Sequence, residues 1–255
     1  MIRIFERLRS LLIWIFGLPV FAVSCLAVWL ASFFRRGPGF ERLIKSACRF
    51  VLFMCGIRLR VEGRENCVPG RPYIVMMNHV NFFDPFVLYA GFPGWARGVE
   101  EESHFRWPIY GPTIRRIGAI PISRTSTPRA MASLAKAAEL IRREKDFSFV
   151  VLPEGTRTRD GKLGKFKRGG FLLALETGLD ILPIIQVGAS RINRRGSRLI
   201  RPGKVRFVIA PSVSTAGTTK ENQAALIERV RAVFLRELGE DKQQPSGLGD
   251  SQLNP

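Results

Sequence analysis

The stretch "YIVMMNHVNFFDP", residues 73–85, runs from an apolar segment straight into polar chemistry. Residues 73–77 are too few for an ordinary helix and have the character of a strand buried on both faces. Asp84-Pro85 then opens a helix through about Ala90, because proline is preset for a first helical turn. A strand covered on both sides requires helices on both faces of its sheet, and strand followed by helix is the unit of a parallel α/β fold. His79, one of only two histidines in the chain, falls in the connection. In such sheets polar groups converge on the loops that leave the strand ends.

An imidazole, with an ordinary pKa of about 6.5, can accept a proton near neutral pH if the accepting nitrogen is the unprotonated one. A carboxylate bonded to the other ring N–H fixes that tautomer and stabilises the imidazolium once formed. The spacing from His79 to Asp84 lets the acid fold back onto the ring. A plainer reading stands beside this one: Asp-Pro is an ordinary helix start, with Asp84 as N-cap and His79 a satisfied structural histidine. The two are compatible, since one oxygen can cap while the other holds the imidazole.

Working outward, residues 147–152 form a second buried strand that runs into "VLPEGTRTRDG", residues 151–161. Pro153 and Gly155 force a tight exit, Glu154 and Thr156 offer polar groups, and Arg157 presents a planar fork suited to phosphate or carboxylate. Taken alone this is a polar turn with solvated charges. "GAIPISR", residues 118–124, ends a short strand at Arg124, and "ILPII", residues 181–185, is a strand interrupted by Pro183. Further strands are expected at 58–62, 96–100 and 204–209. Helices are expected from Thr127-Pro128 to about Glu144, at 170–176, and from a Thr218-x-x-Glu221 capping box to Leu238-Gly239. The alternation predicts an α/β fold with a mostly parallel central sheet flanked by helices, over residues 58–239. Residues 240–255 are polar and rich in glycine and proline, and read as a disordered tail.

Residues 10–34 contain no charged side chain, which is long enough to cross a bilayer core of roughly 30 Å. Arg3, Arg7 and Arg9 flank one end and Arg35-Arg36 the other, so a charge rule cannot orient a simple span. Gly17-Leu18-Pro19 is expected to break the helix. A second apolar stretch at 50–57 follows Arg42, Lys45 and Arg49, which share one helical face. A helix pair dipping into one leaflet leaves both basic flanks on the cytoplasmic side. Residues 1–57 are therefore expected to form an N-terminal membrane-anchoring segment that does not pass through. The apolar run continues beyond Cys25, which argues against a cleaved signal peptide.

Lys+Arg is 40 against Asp+Glu 21, a net charge of +19. That balance implies an anionic partner: a membrane surface, an acidic protein, nucleic acid or a phosphorylated substrate. Nucleic acid is disfavoured by the uncharged N-terminal run and the lack of any helix-turn-helix, zinc-finger or RNA-binding signature. Gly161-Lys162-Leu163-Gly164-Lys165 lacks P-loop spacing, and there is no Gly-x-Ser-x-Gly elbow. Cys25, Cys48, Cys55 and Cys67 form no Cys-x-x-Cys pair, have no histidine beside them and read as reduced, with no metal site. Arg191, Arg194, Arg195, Arg198, Arg201 and Lys204 make a basic cluster that fits anionic lipid, an acidic carrier protein, or a solvated loop.

Together, Asn78-His79-Val80-Asn81-Phe82-Phe83-Asp84, the stretch 118–124, Pro153-Glu154-Gly155-Thr156-Arg157 and the run around Pro183 resemble the four motifs of the glycerolipid acyltransferase family. That family includes the bacterial lysophosphatidic acid acyltransferases. Order and spacing agree, and the resemblance covers roughly residues 50–235. It implies acyl transfer from a thioester to the free hydroxyl of 1-acyl-sn-glycerol-3-phosphate, giving phosphatidic acid. His79 would be the base and Asp84 its orienting acid. Arg124, Glu154, Gly155, Thr156 and Arg157 would bind substrate, the two arginines holding the phosphate. Acyl-CoA or an acidic acyl carrier protein would be co-substrate, with no other cofactor and no metal. The setting implied is the anionic cytoplasmic face of the cell membrane, where the lipid substrate lies. One departure concerns the acceptor. Glu101-Glu102-Ser103-His104-Phe105 stands before Trp107-Pro108-Ile109-Tyr110-Gly111, where the family usually carries a lysine. Carboxylates facing the acceptor would favour another lyso-lipid, such as a lyso-ornithine lipid, whereas solvated ones would not. A basic membrane- or nucleic-acid-binding protein without catalysis is the remaining alternative.

Overall fold

The structure, a computed structural model, describes residues 2–34, 38–123 and 126–239. Strand β2 (Ile74–Met77) is buried at all four positions and lies in the middle of the sheet. On one side it pairs in parallel with β5 (Ser148–Val151), followed by β3 (Ala96–Glu101) and β4 (Ile120–Ile122). On the other side it pairs in parallel with β6 (Ile181–Val187). β6 is antiparallel to β7 (Gly203–Ile209), and β1 (Ile57–Glu62) closes that edge in parallel. The sheet of seven strands is thus parallel except at the β6–β7 pair.

The two-residue period of β2 divides the core. Val75 and Met77 face a cluster with Leu52, Phe83, Val87 and Phe207, supplied in part by α2 (Pro38–Met54) and α3 (Asp84–Gly91). Ile74 and Met76 face the opposite cluster, with Leu134 and Ile141 of α5 (Thr127–Arg143), Phe171 of α6 (Gly169–Thr177), and Val230 and Phe234 of α8 (Gln223–Gly239). Helices cover both faces, as a fully apolar central strand demands.

Helix α1 (Ile2–Phe34) is continuous through Pro19, contrary to the expected break at Gly17-Leu18-Pro19. Both sides of the proline are held to the domain. Trp14 Nε1 donates to the Arg198 carbonyl (2.8 Å), and Thr113 Oγ1 donates to the Cys25 carbonyl (3.0 Å). With both flanking turns pinned, one missing backbone bond does not end the helix. At about 1.5 Å per residue, α1 runs roughly 50 Å along the domain and is fixed again at Ser32, which accepts from Arg116 Nε (2.9 Å).

Three further elements differ from expectation. The cap of α5 is Ser126, one residue before Thr127, and its hydroxyl accepts the Arg129 N–H. The Thr218-x-x-Glu221 stretch does not cap a helix. Thr219 N–H bonds to Asn222 Oδ1 (2.7 Å) in a turn, and α8 starts at Gln223. Helix α4 (Tyr110–Ile117) is not among the elements expected from the sequence; its Pro112 sits in the first turn, where a proline removes no intrahelical bond. Residues 240–255, read as a tail, and Arg35-Arg36 lie outside the described residues.

Candidate active site

Because β2 and β5 are paired, the loops leaving their C-terminal ends lie side by side. The His79 N–H donates to Glu154 Oε1 (2.8 Å), and the Thr158 N–H donates to the His79 carbonyl (2.9 Å). β6, on the other flank of β2, brings Gln186 to the same point. Gln186 N–H donates to Asn78 Oδ1 (2.8 Å), and its Nε2 donates to the Asn78 carbonyl (3.0 Å). Three adjacent strands therefore clamp the residues before and at His79.

Asp84 folds back onto the ring, with Oδ2 2.6 Å from His79 Nδ1. Oδ2 also accepts the Val80 N–H (2.9 Å), while Oδ1 accepts the Asn81 N–H (3.1 Å) and Gln186 Nε2 (3.0 Å). No side-chain bond caps α3, so the plainer N-cap role is not the one Asp84 fills. An ionised carboxylate is an acceptor at every site, and it satisfies all these donors only if the ring proton is on Nδ1. That assignment leaves the lone pair on Nε2. This atom is buried and has no hydrogen-bond partner among the described residues. His79 lines a cavity of about 870 Å³.

The substrate-binding residues expected from the sequence separate in space. Arg157 and Gly155 line the cavity. Gly155 has φ +68°, and a Cβ there would fall 2.8 Å from Lys167 Cε. Glu154 is buried behind the loop, its second oxygen accepting the Gly164 N–H (2.8 Å). Both oxygens are thus engaged by the backbone, and the residue positions His79 rather than facing the cavity. Burial pushes its carboxyl above the usual range, while the two N–H bonds oppose that shift. Thr156 is exposed and is not among the cavity-lining residues. Arg124 lies outside the described residues.

Two cations that the motifs do not contain also line the cavity, Lys167 and Arg168, just before α6. The Lys167 N–H donates to the Pro153 carbonyl (2.7 Å), which draws this segment onto the loop after β5. Away from the cations the wall is apolar, with Phe21, Cys25 and Val28 from α1 and Ile44, Cys48 and Val51 from α2. A third part of the lining is acidic. Glu100 bonds His104 Nδ1 (2.5 Å) and accepts from the Tyr110 hydroxyl (3.5 Å). Burial, then the Glu100 charge, pushes the Tyr110 phenol well above its usual range. Glu101 lines the cavity as well, whereas Glu102 pairs with Arg129 outside it (2.9 Å).

Known proteins are similar to this chain along most of its length. The human 1-acyl-sn-glycerol-3-phosphate acyltransferase alpha is 28% identical over 95% of this chain and 83% of its own length. The 1-acyl-sn-glycerol-3-phosphate acyltransferase of Pseudomonas aeruginosa is 27% identical over 89% of each. The crystal structure of the 1-acyl-sn-glycerophosphate acyltransferase of Thermotoga maritima superposes with a TM-score of 0.80. It covers 96% of this chain and 100% of that one at 24% identity, a likeness of fold. A family model described as acyltransferase matches residues 58–187, the segment from β1 to the end of β6 that holds the His79–Asp84 pair, and the chain is a member of the acyltransferase family.

Proposed function

We propose that the chain moves an acyl group from a thioester to the free hydroxyl of 1-acyl-sn-glycerol-3-phosphate, forming phosphatidic acid. The observation that carries this reading is the buried, unpartnered Nε2 of His79, a residue that lines a largely apolar cavity while Asp84 holds its Nδ1. Nε2 takes the hydroxyl proton as the oxygen attacks the thioester carbon, and Asp84 stabilises the imidazolium. The new ester C–O bond forms, the C–S bond breaks, and the proton on Nε2 passes to the departing thiolate. No covalent intermediate on the protein and no metal is drawn into these steps. In this reading Arg157, joined by Lys167 and Arg168, holds the acceptor phosphate. The apolar wall suits an acyl chain, and the names of the relatives support the acceptor.

The donor in this proposal is acyl-CoA or an acyl carrier protein, and the site is the cytoplasmic face of the membrane. Residues 1–57 anchor it from one side. α1 is apolar enough to cross a bilayer, yet it is bonded to the catalytic domain near its start, middle and end. Phe5, Leu8, Leu12 and Phe16 of α1 and Phe53 of α2 remain exposed, an apolar surface suited to one leaflet. The excess of basic residues adds attraction to anionic lipid, about 1 kcal/mol for each one near the surface.

Glu100 and Glu101 on the cavity wall favour a second acceptor, a lyso-lipid whose head group carries an amine, such as a lyso-ornithine lipid. Mass spectrometry of products from purified protein, given acyl thioester and both acceptors, decides between them. Phosphatidic acid as main product is the expected result. A product formed only from the amine-bearing acceptor would replace the first reading with the second.

A further inference from the structure

The basic cluster after β6 does not act as one patch. Arg201 pairs with Glu6 of α1 (3.2 Å), and Lys204 belongs to β7. Residues 193–199 instead form an ordered loop along the rim of the cavity. Asn193 Nδ2 donates to the carbonyls of Ser197 and Leu199 (both 2.9 Å), and Ser197 N–H donates to the Arg194 carbonyl (3.0 Å). The loop is fastened at two points to residues that line the cavity. Arg195 Nη1 donates to the Arg157 carbonyl (3.0 Å), and the Arg198 carbonyl accepts from Trp14 Nε1 (2.8 Å). Trp14 in turn packs against Phe82, three residues beyond His79, at 6.0 Å between ring centroids.

Beside those fastenings the Arg194 and Arg198 side chains are exposed, and neither guanidinium has a partner among the described residues. Because the loop backbone is already fixed, an anion bound there has only the two arginine side chains left to order, and their planar forks suit phosphate. The acceptor phosphate already has Arg157, Lys167 and Arg168 inside the cavity. A second anion on the outer rim fits the other substrate.

We propose that Arg194 and Arg198 bind the phosphate of a phosphopantetheine-type thioester donor, whose long arm carries the acyl group from the rim down to His79. This rests on the thioester-transfer reading above. Coenzyme A and an acyl carrier protein share that phosphate, so the site serves either source.

The test uses the full-length protein and an Arg194→Ala/Arg198→Ala variant, neither residue belonging to the catalytic cavity. Donors are acyl-CoA, acyl-carrier protein, and an acyl-pantetheine without phosphate. The expected result is a rise of about tenfold in KM for both phosphorylated donors. KM for acyl-pantetheine and for the acceptor stays unchanged, with kcat within about twofold. Unchanged donor KM overturns the assignment. So does a rise with only one phosphorylated donor, which means the loop reads another part of that molecule. Loss of sedimentation with phosphatidylglycerol vesicles at constant donor KM also overturns it, and makes the loop a lipid contact. Absence of transfer by the wild-type protein identifies failure of the parent reading instead.

Discussion

Both oxygens of Asp84 are committed before any substrate arrives, each accepting two N–H groups. An Asp84→Asn side chain turns an NH₂ toward two donors in either orientation. The variant should lose about 10²–10⁴ in kcat and roughly 1–3 kcal/mol of stability, read by steady-state kinetics and thermal unfolding. Gln186 has a subtler part, because its amide fixes the far oxygen of that carboxylate. Gln186→Leu should lower kcat about tenfold while leaving both KM values within about twofold. A change in melting temperature alone would show that the residue is merely structural. The His79–Asp84 pair was legible because the carboxylate and imidazole lie within one short loop. Gln186 was not singled out, although a lone polar side chain in the run "ILPIIQV" was the available signal. Lys167 and Arg168 had none, since no spacing rule says which later segment returns to a given loop. At Gly155 the reason for glycine is now physical as well. Gly155→Ala should push Lys167 off the loop after β5 and raise KM for the phosphorylated acceptor with little change in donor KM.

At the scale of elements, strand positions were readable to within a residue or two wherever a whole strand is buried, as at β2, β5 and β6. Continuous apolar runs flanked by turn residues leave little choice of register. Helix starts were less legible, because capping sequences such as Thr218-x-x-Glu221 also make turns. The β1–β7 edge offers a test of strand pairing. The Glu62 carboxyl is held below its ordinary 4.5, chiefly by the hydrogen bond from Arg206, with burial opposing and the charges of Arg206 and Arg60 adding. A lowered folded pKa means the unfolded chain binds more protons in acid. The stability from this pair is therefore present above about pH 4.5 and is lost as pH falls through the depressed value. Wild type should exceed Glu62→Gln in stability by about 1 kcal/mol or less at neutral pH, and melting curves should converge in acid.

For the whole molecule, α1 and the catalytic domain form one packed body, with α1 contributing Phe21, Cys25 and Val28 to the cavity wall. Sequence alone showed an apolar stretch of spanning length, but not the distant partners Arg198, Thr113 and Arg116 that hold it against the domain. A cysteine introduced at Ile2 and another at exposed Lys136 should react with an impermeant reagent from the same side of sealed vesicles. Labelling from opposite sides would mean that α1 passes through the bilayer.

The most direct measurement of the central claim is acyl transfer by a His79→Ala protein that retains its melting temperature and vesicle binding. The mechanism predicts turnover lowered by at least about a thousandfold, with no recovery between pH 6 and 9. Turnover within a few-fold of wild type would contradict it and remove His79 from the chemistry.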